Sequence, residues 1–304
     1  MQAQAFTKDQ AQQDPQRPVI NSIEDAILQH SHRGMTKLAE YVSADFCHEA
    51  AREILSWERG RTVFLTTGFF VNGYPETDGP AGTMVVARAL SLLGFSPVIL
   101  AEPFARAYYA DSNVAVLAVQ KSYDRDRYEE FLESFDPVGL ISIERCGRNA
   151  DGDYLNMRGK SVGDLTSSVD DLFLLAQGRI PTIGVGDGGN EIGMGSLLDE
   201  IHTTLPIDPC VIPVDKLILA SVSNWGAYGL TGCLEELTGK PLLPTWEEVK
   251  SFIDYTVNLG SVDGVSGENV STVDGYDITV SKAVYGRILE QAAKHSAKAA
   301  LASA

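Results

Sequence analysis

Long apolar runs are missing from this 304-residue chain. No stretch reaches the roughly 20 apolar residues of a membrane helix, so no membrane partner is expected. The first twenty residues are rich in Gln and lack a hydrophobic leader segment, which argues against secretion. They read as a disordered tail, 1–20, and two acids among only two bases there do not resemble an organellar transit peptide. Basic residues are scarce as well: 24 Lys and Arg face 41 Asp and Glu, a net charge of −17 that disfavours nucleic acid and anionic surfaces. Cysteines are few and scattered (Cys47, Cys146, Cys210, Cys233), with no CxxC spacing, so neither a disulfide frame nor a zinc site is read from them. Reduced thiols and a cytoplasmic location are the expectation. The five histidines also lack metal-ligand spacing, and Cys146 has no His nearby to activate it.

What is present is an alternation of two patterns. Apolar runs suited to buried parallel strands occur at 62–67, 96–101, 113–119, 137–144, 181–186 and 216–223, with helix-length amphipathic segments between them. The expected fold is therefore α/β: a Rossmann-like, mostly parallel sheet of about six or more strands flanked by helices. An N-terminal helical segment precedes it, with Ser22 and Ser43 as N-caps. One domain is expected over 21–295, followed by a fraying tail, 296–304.

Ligands of such sheets bind beyond the carboxyl ends of the strands, so the segments that follow each strand carry the functional reading. Four of them are polar and bear glycine. "PETDGPAG" places Glu76, Thr77 and Asp78 before a Pro-started helix, more acceptors than one cap needs. "IERCGRNADGDYLNMRG" sets Arg145, Arg148 and Arg158 among acids and Asn156, and arginine forks suit carboxylates. "GVGDGGNEIGMG" carries Asp187, Asn190 and Glu191 on a backbone made bare by Gly188 and Gly189. Carboxylates on such a loop suit a hard divalent cation, Mg²⁺ or Mn²⁺. The loop follows the fifth strand and holds an acid, so it is a poor dinucleotide fingerprint and no nucleotide cofactor is expected. It is similar to the magnesium loop of haloacid-dehalogenase-type phosphatases, yet no strand ends in their DxDxT nucleophile motif. "SVSNWGAYG" adds Asn224, with Trp225 read as a buried core residue, and the V-D-G triplets at Asp263 and Asp274 read as turns.

Together these four motifs resemble the D-glutamate cyclase family, in the form of its cyclase-like C-terminal domain and stand-alone bacterial relatives. The likeness runs from about residue 22 to about residue 290. It includes Glu144, Arg145, Gly147, Arg148, Asp151, Gly152, Tyr154, Asn156 and Arg158, and the block from Gly186 to Gly195. The resemblance implies a lyase that cyclises D-glutamate to 5-oxo-D-proline with loss of water, or the reverse. On that reading Asp187, Glu191, Asp78 and Asn190 are catalytic, and Asp187 and Glu191 hold an Mg²⁺ or Mn²⁺ ion. Arg145, Arg148, Arg158, Asn156, Asn224, Gly188 and Gly189 then bind a small acidic amino acid. A metal-dependent, phosphatase-like hydrolase and a non-catalytic acidic amino-acid sensor are the alternatives. The assembly stays open between monomer and homo-oligomer.

Overall fold

Each of the six apolar runs supplies one strand of a single parallel sheet. The computed structural model describes residues 20–302, with side chains as far as Lys294. The tail expected at 1–20 lies outside the described residues, Ile20 apart; of that expected at 296–304, the backbone continues the last helix to Ala302, and 303–304 lie outside. The strands are β1 (Thr62–Gly68), the small hairpin β2 (Phe70–Val71) and β3 (Tyr74–Pro75), β4 (Ser96–Ala101), β5 (Ala115–Ala118), β6 (Gly139–Arg145), β7 (Thr182–Gly186) and β8 (Lys216–Leu219). The main sheet runs β5-β4-β1-β6-β7-β8, every pairing parallel. Its connections therefore reverse between β1 and β6, which opens a crevice at the strands' carboxyl ends there.

Helices α1 (Ile23–Ile27), α2 (Met35–Leu38) and α3 (Phe46–Ser56) precede the sheet. Along the chain follow α4 (Pro80–Leu92), α5 (Phe104–Tyr108), α6 (Arg125–Phe135), α7 (Asp170–Ala176) and α8 (Leu198–Thr204). The last three are α9 (Ser223–Thr238), α10 (Trp246–Asn258) and α11 (Ile278–Ala302). Successive strand side chains point to opposite faces, and each face finds its own helices. Val63 and Leu65 of β1 join a core with α1, α3, α4, α9 and α11, while Phe64 joins a second core with α6 and α7. Each such Val, Leu or Phe stabilises the fold by about 1.5–3 kcal/mol on burial. The close approach of α4 to α9 depends on Gly82, where an added Cβ would stand 2.7 Å from that of Ala227.

Local corrections to the sequence reading have plain causes. Ser22 caps α1 through a reciprocal pair with Asp25, but Ser43 caps nothing, because α3 begins at Phe46. The apolar run expected to continue to residue 223 leaves the sheet at Leu219, and Ser223 opens α9. The segment after Glu191 pairs as isolated bridges before α8 begins at Leu198. Among the described residues no helix is long and apolar enough to cross a membrane.

One buried ion pair fixes the strand ends that carry the site. Arg145, wholly buried at the end of β6, forks onto Glu102 just beyond β4 at 2.5 and 2.6 Å and donates to the Ser167 carbonyl at 2.9 Å. The pair spans β1, which lies between β4 and β6. Stripping a buried charge of its partner costs about 3–5 kcal/mol. Glu102→Ala should therefore lower unfolding free energy in urea by about that amount, and a loss below about 1 kcal/mol would contradict the stapling role.

Candidate active site

The end of β6 carries a bulge. Thr67 pairs with Ile143 and Gly68 with Arg145, so Glu144 is passed over, and its backbone sits at φ +48°. A side chain other than glycine held there costs on the order of 1–3 kcal/mol, which the surrounding fold must sustain. The bulge re-aims Glu144 toward the crevice, as bulges beside functional sites do. Asp274 is held at φ +54°, in the same left-handed region. It belongs to the second V-D-G triplet. The Asp of the first, Asp263, has the turn role the sequence suggests, accepting from the amides of Val265, Ser266 and Gly275.

These two residues complete a group of six buried carboxyls: Glu76, Asp78, Glu144, Asp187, Glu191 and Asp274. Asp187 follows β7, and Asp78 lies just ahead of α4. The first amides of α9 face both: Ser223 N–H lies 2.9 Å from Asp78 Oδ2 and 3.0 Å from Asp187 Oδ2, and Asn224 N–H donates to Asp78 Oδ1 at 2.7 Å. A helix N-terminus favours negative charge in this way. Ser223 Oγ donates to Glu144 at 2.5 Å, and the amide of Gly189, at φ +108°, donates to Glu191 at 2.8 Å. Arg33 is the guanidinium in contact with the group, paired with Asp187 and, at 2.9 Å, with Asp274.

Beside the group lies a cavity of about 350 Å³, walled by Glu76, Glu144, Asn190 and Asp274 and by the cations Arg33, Arg158 and Lys160. A larger cavity, about 590 Å³, lies between α4 and α10 but brings no comparable cluster of charge together. Of the residues given catalytic or binding roles from the sequence, Asn190, Asn156 and Arg158 reach the smaller cavity. Asp78, Asp187 and Glu191 lie beneath its wall, at most 1% exposed. The expected arginine clamp divides. Arg145 is spent on Glu102, and Arg148 forks onto Asp170 at 2.7 and 2.9 Å and reaches Asp171; neither lines the cavity. Asn224 is occupied too: its Oδ1 accepts from the amides of Gly79 and Gly82, capping α4. Gly188 packs under Met157, whose Sδ would lie 2.5 Å from an added Cβ. Sequence reasoning missed Arg33, which lies more than a hundred residues from the loop it pairs with, and Asp274, hidden in a turn signal.

Burial, reinforced by neighbouring acids, drives these carboxyls toward the protonated form. Asp78 is pushed up to about 7 by burial and then by Asp274. Burial raises Asp187 and Asp274 to about 8 even though Arg33 opposes it. Glu76 and Glu144 are held well above the usual range by burial and by the acids around them. Two trios bring carboxylate oxygens within 4.8 Å of one another: Glu144, Asp187 and Glu191, and Asp78, Asp187 and Asp274. The buried oxygens Glu76 Oε1 and Asn190 Oδ1 have no hydrogen-bond partner. An all-oxygen donor set fits a hard cation such as Mg²⁺ or Mn²⁺.

A sequence model of the family described as D-glutamate cyclase-like, C-terminal, matches residues 23–288. The human protein D-glutamate cyclase, mitochondrial, is 34% identical over 215 residues, covering 61% of this chain and 34% of that protein. The chain thus spans about a third of the length of that relative.

The raised carboxyls give a pH signature. Their folded values, about 7 for Asp78 and about 8 for Asp187 and Asp274, lie above the roughly 3.9 of an unfolded Asp. Between those limits the native chain holds protons that the unfolded chain releases. Their stabilisation is complete below about pH 4 and is lost as pH rises through about 7–8. In EDTA, urea midpoints should fall from about pH 5 to about pH 9, and Asp187→Asn should flatten the fall. Parallel curves for the two proteins would contradict the assignment.

Proposed function

The chain belongs to the D-glutamate cyclase-like family, and from that premise we propose that it is a lyase closing D-glutamate to 5-oxo-D-proline with loss of water, or running the reverse. The observation that carries this reading is the cavity's polarity: the carboxyls of Glu76, Glu144 and Asp274 share its wall with the cations Arg33, Arg158 and Lys160. A zwitterionic acidic amino acid has the complementary charges, one ammonium for the carboxyls and two carboxylates for the cations. A volume of about 350 Å³ suits a molecule of that size.

In the reaction the amine nitrogen bonds to the side-chain carboxyl carbon, and one C–O bond of that carboxyl breaks. The ammonium loses two protons, which leave with the departing oxygen as water, so no net proton is exchanged. The protein must therefore accept a proton from the ammonium and return one to the leaving oxygen. Glu76 and Asp274 stand at the cavity wall with raised proton affinities. In its ionised form Glu76 takes the first ammonium proton through its unpartnered Oε1, and Asp274, backed by Asp187, protonates the leaving oxygen. The amine's second proton completes the water, and passage of the held proton from Glu76 to Asp274 resets both. Asn190 Oδ1 accepts from the ammonium and orients it. Arg33 and Arg158 hold the carboxylates, and a chain held bent between these groups has its ends already together, the main entropic cost of ring closure. Glu144, Asp187 and Glu191 are the residues that would hold a divalent cation, which when bound supplies Lewis-acid polarisation of the carboxyl.

A ¹H NMR time course with D- and L-glutamate, with Mn²⁺ or Mg²⁺ and then with EDTA, tests the reading. Formation of 5-oxoproline from the D form is expected. Asp274→Asn should lower kcat by about 10²–10⁴ with the fold retained, and Arg33→Ala should act mainly by raising KM. No product from either enantiomer would refute a cyclase, and saturable binding without turnover would identify a sensor.

A further inference from the structure

At the other end of α9, α1 and α3 converge on a group of donors that cyclisation does not use. Glu24 of α1, His48 of α3 and Cys233 of α9 bring a carboxylate oxygen, a ring nitrogen and a thiol within 4.8 Å of one another. Glu24 is 4% exposed; its Oε1 lies 2.9 Å from His48 Nδ1, and its Oε2 has no partner. The thiol of Cys47, also buried, lies close to that of Cys233. On the far side of the ring, His48 Nε2 lies 3.1 Å from Glu236 Oε2.

A mixed O, N, S donor set of this kind matches the ligand chemistry of Zn²⁺ rather than of the hard cations that suit the carboxylate cluster. A histidine bound to a metal almost always donates its second ring N–H to a carboxylate, a backbone carbonyl or water, and Glu236 stands in that place. Three helices meet here, so one ion would tie them together in the way structural zinc sites do. We propose that Glu24, His48 and Cys233 form a zinc site in which Glu236 orients His48. The ion replaces the proton on the Cys233 thiol and fixes α9 against α1 and α3. Cys233 lies ten residues beyond Ser223, about 15 Å along the helix from the amides that hold Asp78 and Asp187. Zinc here sets the seat of that helix without entering the reaction.

The test uses the tag-free chain, loaded with Zn²⁺ and dialysed, with zinc per chain measured by plasma mass spectrometry. A parallel sample is loaded with Co²⁺, and its sulfur-to-cobalt absorption is recorded. Oxygen ligands give no such band, so the carboxylate cluster cannot imitate it. We expect about one retained zinc per chain and a clear thiolate–cobalt band. Cys233→Ser should abolish the band and Cys210→Ser should keep it. Glu236→Gln should weaken zinc binding about 10–100-fold. If Cys233→Ser does not fold, the wild-type cobalt spectrum and Glu236→Gln still decide. A folded chain that keeps no zinc and shows no thiolate band in excess cobalt overturns the proposal, leaving His48 as an imidazolium held between two carboxylates. The cyclase reading is untouched by either result.

Discussion

Six carboxyls packed around one guanidinium, out of water, form the constraint on which the rest of the structure depends. Left ionised and uncompensated, such a group would cost far more than a fold of this size can spare. The protein contains it with four devices. The first amides of α9 point at Asp78 and Asp187, the bare backbone at Gly189 donates to Glu191, Arg33 joins Asp187 to Asp274, and protons take up the remaining charge. Each device needs the doubly wound sheet, because only at the reversal between β1 and β6 do the end of β7, the bulge of β6 and the start of α9 face one another.

The strain at Glu144 and Asp274 belongs to the same economy. Both residues hold left-handed backbone angles that glycine or asparagine would take more readily, and both present a carboxyl to the cavity wall. A sequence selected for stability alone would have relieved those positions and filled the site with apolar side chains. That the chain instead keeps destabilising groups around a cavity is the physical ground for reading this region as a candidate site.

The sheet was legible in the sequence because parallel strands buried on both faces are continuous apolar runs, and all six are visible as such. The loops that close over the site were legible because glycines and acids interrupt those runs. What escaped notice depended on distance or on disguise. Arg33 comes from the N-terminal helices and meets Asp187 across more than 150 positions, with no local pattern to announce it. Asp274 looks like its twin Asp263, and only the fold separates a turn from a buried acid. Arg145 and Arg148 looked like substrate ligands because their motif is rich in charge, but Glu102 and Asp170, which neutralise them, lie elsewhere in the sequence. His48 and Cys233 likewise show no ligand spacing, since three different helices supply that cluster.

The central claim is that buried carboxyls of this chain keep protons at neutral pH. Infrared difference spectra of the carboxylic acid C=O stretch, recorded in EDTA from about pH 5 to about pH 9, address it without substrate. The account predicts a protonated-carboxyl band that persists above about pH 6 and fades near the values of Asp78, Asp187 and Asp274, about 7 to about 8, with Asp187→Asn removing part of it. A spectrum in which every carboxyl is ionised by about pH 6 would contradict it.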